Sequence, residues 1–94
     1  MISGKTKSGF EFSINEHIVD DWRVARAIAE SQSKKESEQI AGAVKVVNLV
    51  LGDQEEALCN HVMREDGSVP INTLMDEISE MMTIAKEKNK EVKN

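Results

Sequence analysis

Near the start of the chain, apolar and polar positions alternate. Phe10, Phe12 and Ile14 are separated by Glu11 and Ser13, the period of two expected of a half-buried strand. Ile2 through Thr6 supplies a partner strand. Lys7-Ser8-Gly9 supplies the turn, with Gly9 free to take a positive φ. Residues 1–14 therefore read as a β-hairpin. A lone two-stranded ribbon is marginal in water, so its phenylalanines must pack on helices or on another chain.

After Asn15, which is suited to capping a helix, the period changes. Ile18, Trp22, Ala25 and Ala29, with Ile28, form a helical stripe through about residue 31, and Arg23, Arg26 and Glu30 lie off it. Ser31–Lys35 breaks the pattern, and Ser33-x-x-Glu36 has the spacing of a capping box. A second helix follows over about 35–51. Its apolar residues Ile40, Ala43, Val44, Val46, Val47, Leu49, Val50 and Leu51 wrap more than one face, which predicts the central helix of the bundle. Gly52 suits a helix C-terminus and Asp53 the next N-cap. A third helix, about 54–65, is expected to turn Ala57, Leu58, His61 and Val62 inward and to end at Gly67. Ser68-Val69-Pro70 is an extended connection, because Pro70 cannot continue a helix. The fourth helix starts near Ile71 or Asn72 and repeats apolar residues at three and four: Ile71, Leu74, Met75, Ile78, Met81, Met82, Ala85. The prediction is a mainly α fold, a small four-helix domain with an N-terminal β-hairpin. It is a single domain over residues 1–85, and the charged 86–94 is either a frayed helical extension or a disordered tail.

The chain has 94 residues, room for one core and no second lobe. No apolar run approaches the roughly 20 residues of a membrane span, and Met1–Lys7 lacks the apolar centre of a secretory signal. A single Cys59 excludes an internal disulfide framework and fits a reducing interior. The formal net charge is −5. The acid concentrates at Asp53, Glu55, Glu56, Glu65 and Asp66, where Arg64 is the only local base. Such a stretch is a solvated helix surface or a face that steers a basic partner.

Candidate chemistry is sparse. Cys59 and His61 are two apart and point to different faces of a helix, so they cannot chelate one metal together. Aligning Gly67 with the glycine of a calcium loop puts Val62, Arg64 and Thr73 at ligand positions, so that alignment fails. None of the glycines falls in a phosphate-binding pattern, and the adjacent carboxylates Asp20-Asp21 and Glu55-Glu56 do not converge. No enzyme, metal, cofactor or small-molecule substrate is expected. A helix-turn-helix DNA-binding regulator is an alternative, since helices two and three meet tightly at Gly52-Asp53. Its recognition helix would be the most acidic stretch of the chain, facing phosphates with Arg64 alone.

Methionines are the remaining anomaly. Met63, Met75, Met81 and Met82 fall in helices three and four, where flexible thioethers either fill irregular core space or line a surface that accepts several apolar sequences.

Taken in order, several segments resemble the small tail assembly chaperones of long-tailed phages and prophages of Gram-positive bacteria. These are Gly4-Lys5-Thr6-Lys7-Ser8-Gly9-Phe10-Glu11-Phe12, then Asp20-Asp21-Trp22, Leu49-Val50-Leu51-Gly52, Ala57-Leu58-x-x-His61, and Asp66-Gly67-x-Val69-Pro70. The resemblance spans roughly residues 4–82. The chain departs from the family's pattern at Ser31–Lys35, where members are shorter or more acidic, and at Cys59-Asn60, where charged residues are commoner. The resemblance implies a non-enzymatic role in the cytoplasm of a bacterial host. Such a protein would bind the long, apolar tape measure protein, keep it soluble and recruit tail tube protein around it, and would be absent from the finished virion. In many members a frameshift yields a longer second form. A structural tail or capsid component is the other reading.

A tape measure protein is mostly long amphipathic helix and exposes apolar stripes before assembly. The expected client-binding residues are Met75, Ile78, Met81 and Met82 on the fourth helix, with Phe10 and Phe12 of the hairpin, contacting the client or a neighbouring copy. The outer edge of the hairpin offers a template for strand addition, so a homo-oligomer is also expected.

Overall fold

The structure, a computed structural model, describes residues 1–92, and residues 90–92 by their backbone alone. The mainly α fold with an N-terminal hairpin is present, in the order β1 (Ile2–Lys5), β2 (Glu11–Ile14), α1 (Trp22–Ser31), α2 (Glu36–Leu51), α3 (Glu55–Val62) and α4 (Ile71–Val92). The strands are antiparallel, with Ile2 opposite Ile14 and Gly4 opposite Phe12. The turn closes through Thr6 N–H to the Phe10 carbonyl (3.0 Å) and Gly9 N–H to the Thr6 carbonyl (2.9 Å), with Gly9 at φ 97°. Alternation puts Ile2, Phe12 and Ile14 on the buried face.

The first helical stripe does not run as predicted. Asn15 Oδ1 accepts the His17 N–H (2.8 Å) and opens only a 3₁₀ turn, Glu16–Asp20. Asp21 is extended, and its carboxylate accepts the amides of Arg23 (2.8 Å) and Val24 (3.3 Å) to begin α1 afresh. This interruption rotates the later residues. Val24 and Ala27 face the core, Ile28 is half-buried, and Ala25 and Ala29 lie on the surface, while Trp22 is 73% exposed.

The Ser33–Glu36 capping box does not form either. The residue preceding α2 is Lys35, which provides no side-chain cap. Ser33 is already outside the helix, where its hydroxyl accepts from Lys35 N–H (3.2 Å) and donates to Glu38 (2.7 Å). Helix α2 buries Gly42, Ala43, Val46, Val47, Val50 and Leu51. It is not covered on every side, because Ile40, Val44 and Leu49 remain 45%, 53% and 41% exposed. At Gly42 a Cβ would lie 2.3 Å from the Ser31 backbone nitrogen, so glycine is what lets α1 and α2 approach there.

Gly52 ends α2 as expected, at φ 55° and ψ −121°, outside the left-handed helical region, and Asp53 is not the cap of the next helix. A 3₁₀ turn, Gly52–Gln54, intervenes, and Gln54 turns back onto the hairpin. Its side-chain oxygen accepts the Ser13 N–H (2.9 Å) and its amide donates to the Ser13 carbonyl (2.6 Å), imitating one residue of a third strand. Helix α3 stops at Val62, short of residue 65. A helix of little more than two turns reaches the core along one line, here Leu58 and Val62, so Ala57 and His61, expected inside, are exposed. Gly67, at φ 89°, closes a turn in which Arg64 N–H donates to the Ser68 carbonyl (2.8 Å). The Asp66 carboxylate accepts both the hydroxyl (2.6 Å) and the amide (2.9 Å) of Ser68, and these bonds hold its carboxyl below the usual aspartate value.

Helix α4 carries on through the charged segment. The Lys88 ammonium donates to the Ser3 carbonyl, and Asn89 Nδ2 donates to the Glu16 carbonyl (2.9 Å), tying the helix to the first residues of the fold. Residues 93 and 94 of the predicted tail lie outside the described residues. Hairpin residues Ile2, Phe10, Phe12 and Ile14 share one core cluster with Val46, Val50 and Leu51 of α2, Leu58 of α3, and Ile78, Met81 and Ala85 of α4. No helix among the described residues is long and apolar enough to cross a membrane.

Candidate partner-binding groove

The six residues expected to bind a client divide by depth. Met81 is 0% exposed and Ile78 is 1%, and Phe10 and Phe12 are buried with them. These four are core side chains, as a strand face and the inner line of a helix dictate. Met75 and Met82, one residue off that line, are half-buried. Met82 borders a crevice of about 310 Å³ with Ile28 of α1, while Met75 lies on the wall shared by this crevice and a groove nearer the start of α4.

That groove is lined almost wholly by apolar side chains. It runs between the outer face of α2 and the start of α4, encloses about 130 Å³, and is lined by Ile40, Ala43, Val44, Val47, Ile71, Leu74 and Met75, with Glu55 at its rim. Three of its walls are large and open to water: Ile40, Val44 and Ile71, the last 54% exposed. It opens into a wider cleft of about 800 Å³ whose further walls include Glu36, Gln39, Arg64 and Pro70. The groove exists because α3, at eight residues, spans about 12 Å while α2, at sixteen, spans about 24 Å. The chain then leaves α3 in turns and an extended run to Pro70 rather than as helix, so one face of α2 stays uncovered.

Ile40, Val44 and Ile71 did not figure among the expected binding residues. Their signal was present: helix two has more apolar residues than one buried face needs.

A polar cluster sits on the opposite side of α4, under the hairpin turn. The buried Glu77 carboxylate accepts the hydroxyls of Thr6 and Ser8, each at 2.8 Å, and Glu80 accepts the Lys7 N–H at 2.7 Å. Ser8 Oγ is also 3.0 Å from His61 Nε2, and the His61 ring lies 5.4 Å from that of Phe10. Serine, histidine and glutamate are thus adjacent, but not as a nucleophilic triad. The carboxylate holds the serine rather than the imidazole, and with the serine proton directed at Glu77 the histidine must be the donor to Ser8. The arrangement fastens the turn to α4.

Cys59 is half-buried on α3. Burial pushes its thiol up, and the Glu55 and Glu56 carboxylates add to the effect, the reverse of what a reactive thiolate needs. Among the described residues no three His, Cys, Asp or Glu side chains converge as a metal site. No known protein family, characterised protein or solved structure matches this chain.

Proposed function

We propose that this protein is a phage or prophage tail assembly chaperone. In this reading it binds amphipathic helical stretches of the tape measure protein in the bacterial cytoplasm, keeps them from aggregating, recruits tail tube protein, and performs no chemistry itself. The observation that carries the reading is the open apolar groove formed by Ile40, Val44, Ile71 and Met75. A recess flanked by two helices, with a flexible thioether in its wall, suits the apolar stripe of a third helix. Leaving large apolar side chains in water has a cost that a partner recovers. The ordered resemblance of residues 4–82 to such chaperones names the class of partner.

Co-expression with the tape measure protein tests this. Val44→Asp combined with Ile71→Asp changes exposed positions, so the helical circular dichroism is retained while recovery of soluble tape measure protein falls at least about tenfold, the effect of about 1.4 kcal/mol. Unchanged recovery with the double variant would refute the reading. So would salt-sensitive retention of the protein on DNA with no tape measure binding.

A further inference from the structure

A different surface, on α1, is also open to solvent. Helix α1 buries one face and leaves three further apolar side chains on the other, beside Arg26. Val24 and Ala27 pack inward, whereas Trp22, Ala25 and Ala29, at helical spacing on the other side, are exposed. Trp22 is the one tryptophan of the chain and is 73% exposed, and Leu49 of α2 continues the apolar surface beside Arg23 and Arg26 at 41% exposure. Arg23 and Arg26 have no carboxylate within ion-pair distance among the described residues, while Glu30, two turns beyond Arg23 on the same flank, is held by Lys45 at 3.0 Å.

We propose that the outer face of α1 is the contact surface for a second copy of this chain, with the two α1 helices antiparallel. The occupant follows from the way size and charge are distributed along the helix. The bulky residue is at one end and the small ones are at the other, so an antiparallel partner sets each Trp22 over the other copy's Ala29 and each Arg26 stem over the other Ala25. Basic Arg23 lies at the first turn and acidic Glu30 at the last, on one flank. An antiparallel pair brings Arg23 of each copy beside Glu30 of the other, where the carboxylate already paired with Lys45 takes a second cation, twice by symmetry. A parallel pair would oppose Trp22 to Trp22 and would carry Arg23 of one copy and Glu30 of the other to opposite flanks. A ten-residue helix offers a small contact, so the dimer is weak and its formation depends on concentration. This face is separate from the groove between α2 and α4, so each can fail without the other.

Sedimentation across a dilution series reaching about 1 mM, read alongside the emission of Trp22, tests the proposal. The wild-type protein passes from monomer to dimer, and the emission moves to shorter wavelength as Trp22 leaves water. Ala29→Glu, at an exposed position that keeps the fold, raises the dissociation constant at least about tenfold. In a Cys59→Ser background, Ala25→Cys near the two-fold axis cross-links with itself under oxidation. Ala29→Cys, about 10 Å from its copy along the antiparallel helices, does not. A monomer at every concentration would overturn the proposal, as would a dimer indifferent to Ala29→Glu or equal cross-linking at both positions. A monomer whose Trp22 emission moves only when another protein is added would likewise overturn it.

Discussion

Two neighbouring methionines show how much one position on a helix decides. Met81 has no exposed surface and Met82 is half-exposed, though both belong to one apolar run. Chain periodicity placed both on the same broad stripe, but it could not separate the residue at the centre of the stripe from the one at its edge. Gly42 was silent in the sequence for a related reason: the need for glycine comes from Ser31 of another helix. Gly42→Ala should gain about 1 kcal/mol of helix propensity. It should still unfold at lower urea, by about 1–3 kcal/mol, because α1 must move away. Cys59 gives a residue-scale check on electrostatics. At pH 8 it should react with iodoacetamide more slowly than a free cysteine, since burial first and then Glu55 and Glu56 favour the neutral thiol. Replacing both glutamates with glutamine should raise the rate without reaching that of the free thiol, because the burial remains.

Among the elements, the hairpin and the start of α4 were the most legible, because alternation and the Ile71–Ala85 repeat are unambiguous. The capping residues of α1, α2 and α3 were not, although α2 and α3 begin within one residue of the expected 35 and 54. Asn15, Ser33 and Asp53 are all good caps, yet only Asn15 caps the next segment, and that segment is a 3₁₀ turn. Asp21 caps α1 instead, whereas Gln54, the residue before α3, makes no side-chain cap and bonds Ser13 of the hairpin. The fastening of the hairpin was also hidden, since Thr6 and Glu77 are 71 residues apart. Glu77→Ala should lower stability by about 1–3 kcal/mol in urea by leaving the buried Thr6 hydroxyl without its acceptor. Glu77→Gln keeps an acceptor oxygen and should cost less. Equal stability of both variants and wild type would mean that the turn is not held there.

For the whole molecule, fold class follows from period and length, but the binding surface does not. The sequence shows that helix two is apolar on several sides; whether every side is covered depends on the length of α3 and the path of residues 63–70. A longer third helix would have closed the groove that the proposed function uses. The same limit applies to α1, whose Trp22–Ala29 stripe is real in sequence but faces outward once Asp21 resets the helix. Both unpartnered surfaces are therefore consequences of where helices stop and restart.

The groove is tested most directly by methyl chemical-shift mapping with a helical peptide from the tape measure protein. Ile40, Val44, Ile71 and Met75 shift on titration, while Ile78 and Met81 stay fixed because they lie in the core. A titration that leaves the first four unmoved, or that shifts only residues away from the α2–α4 groove, would contradict binding there.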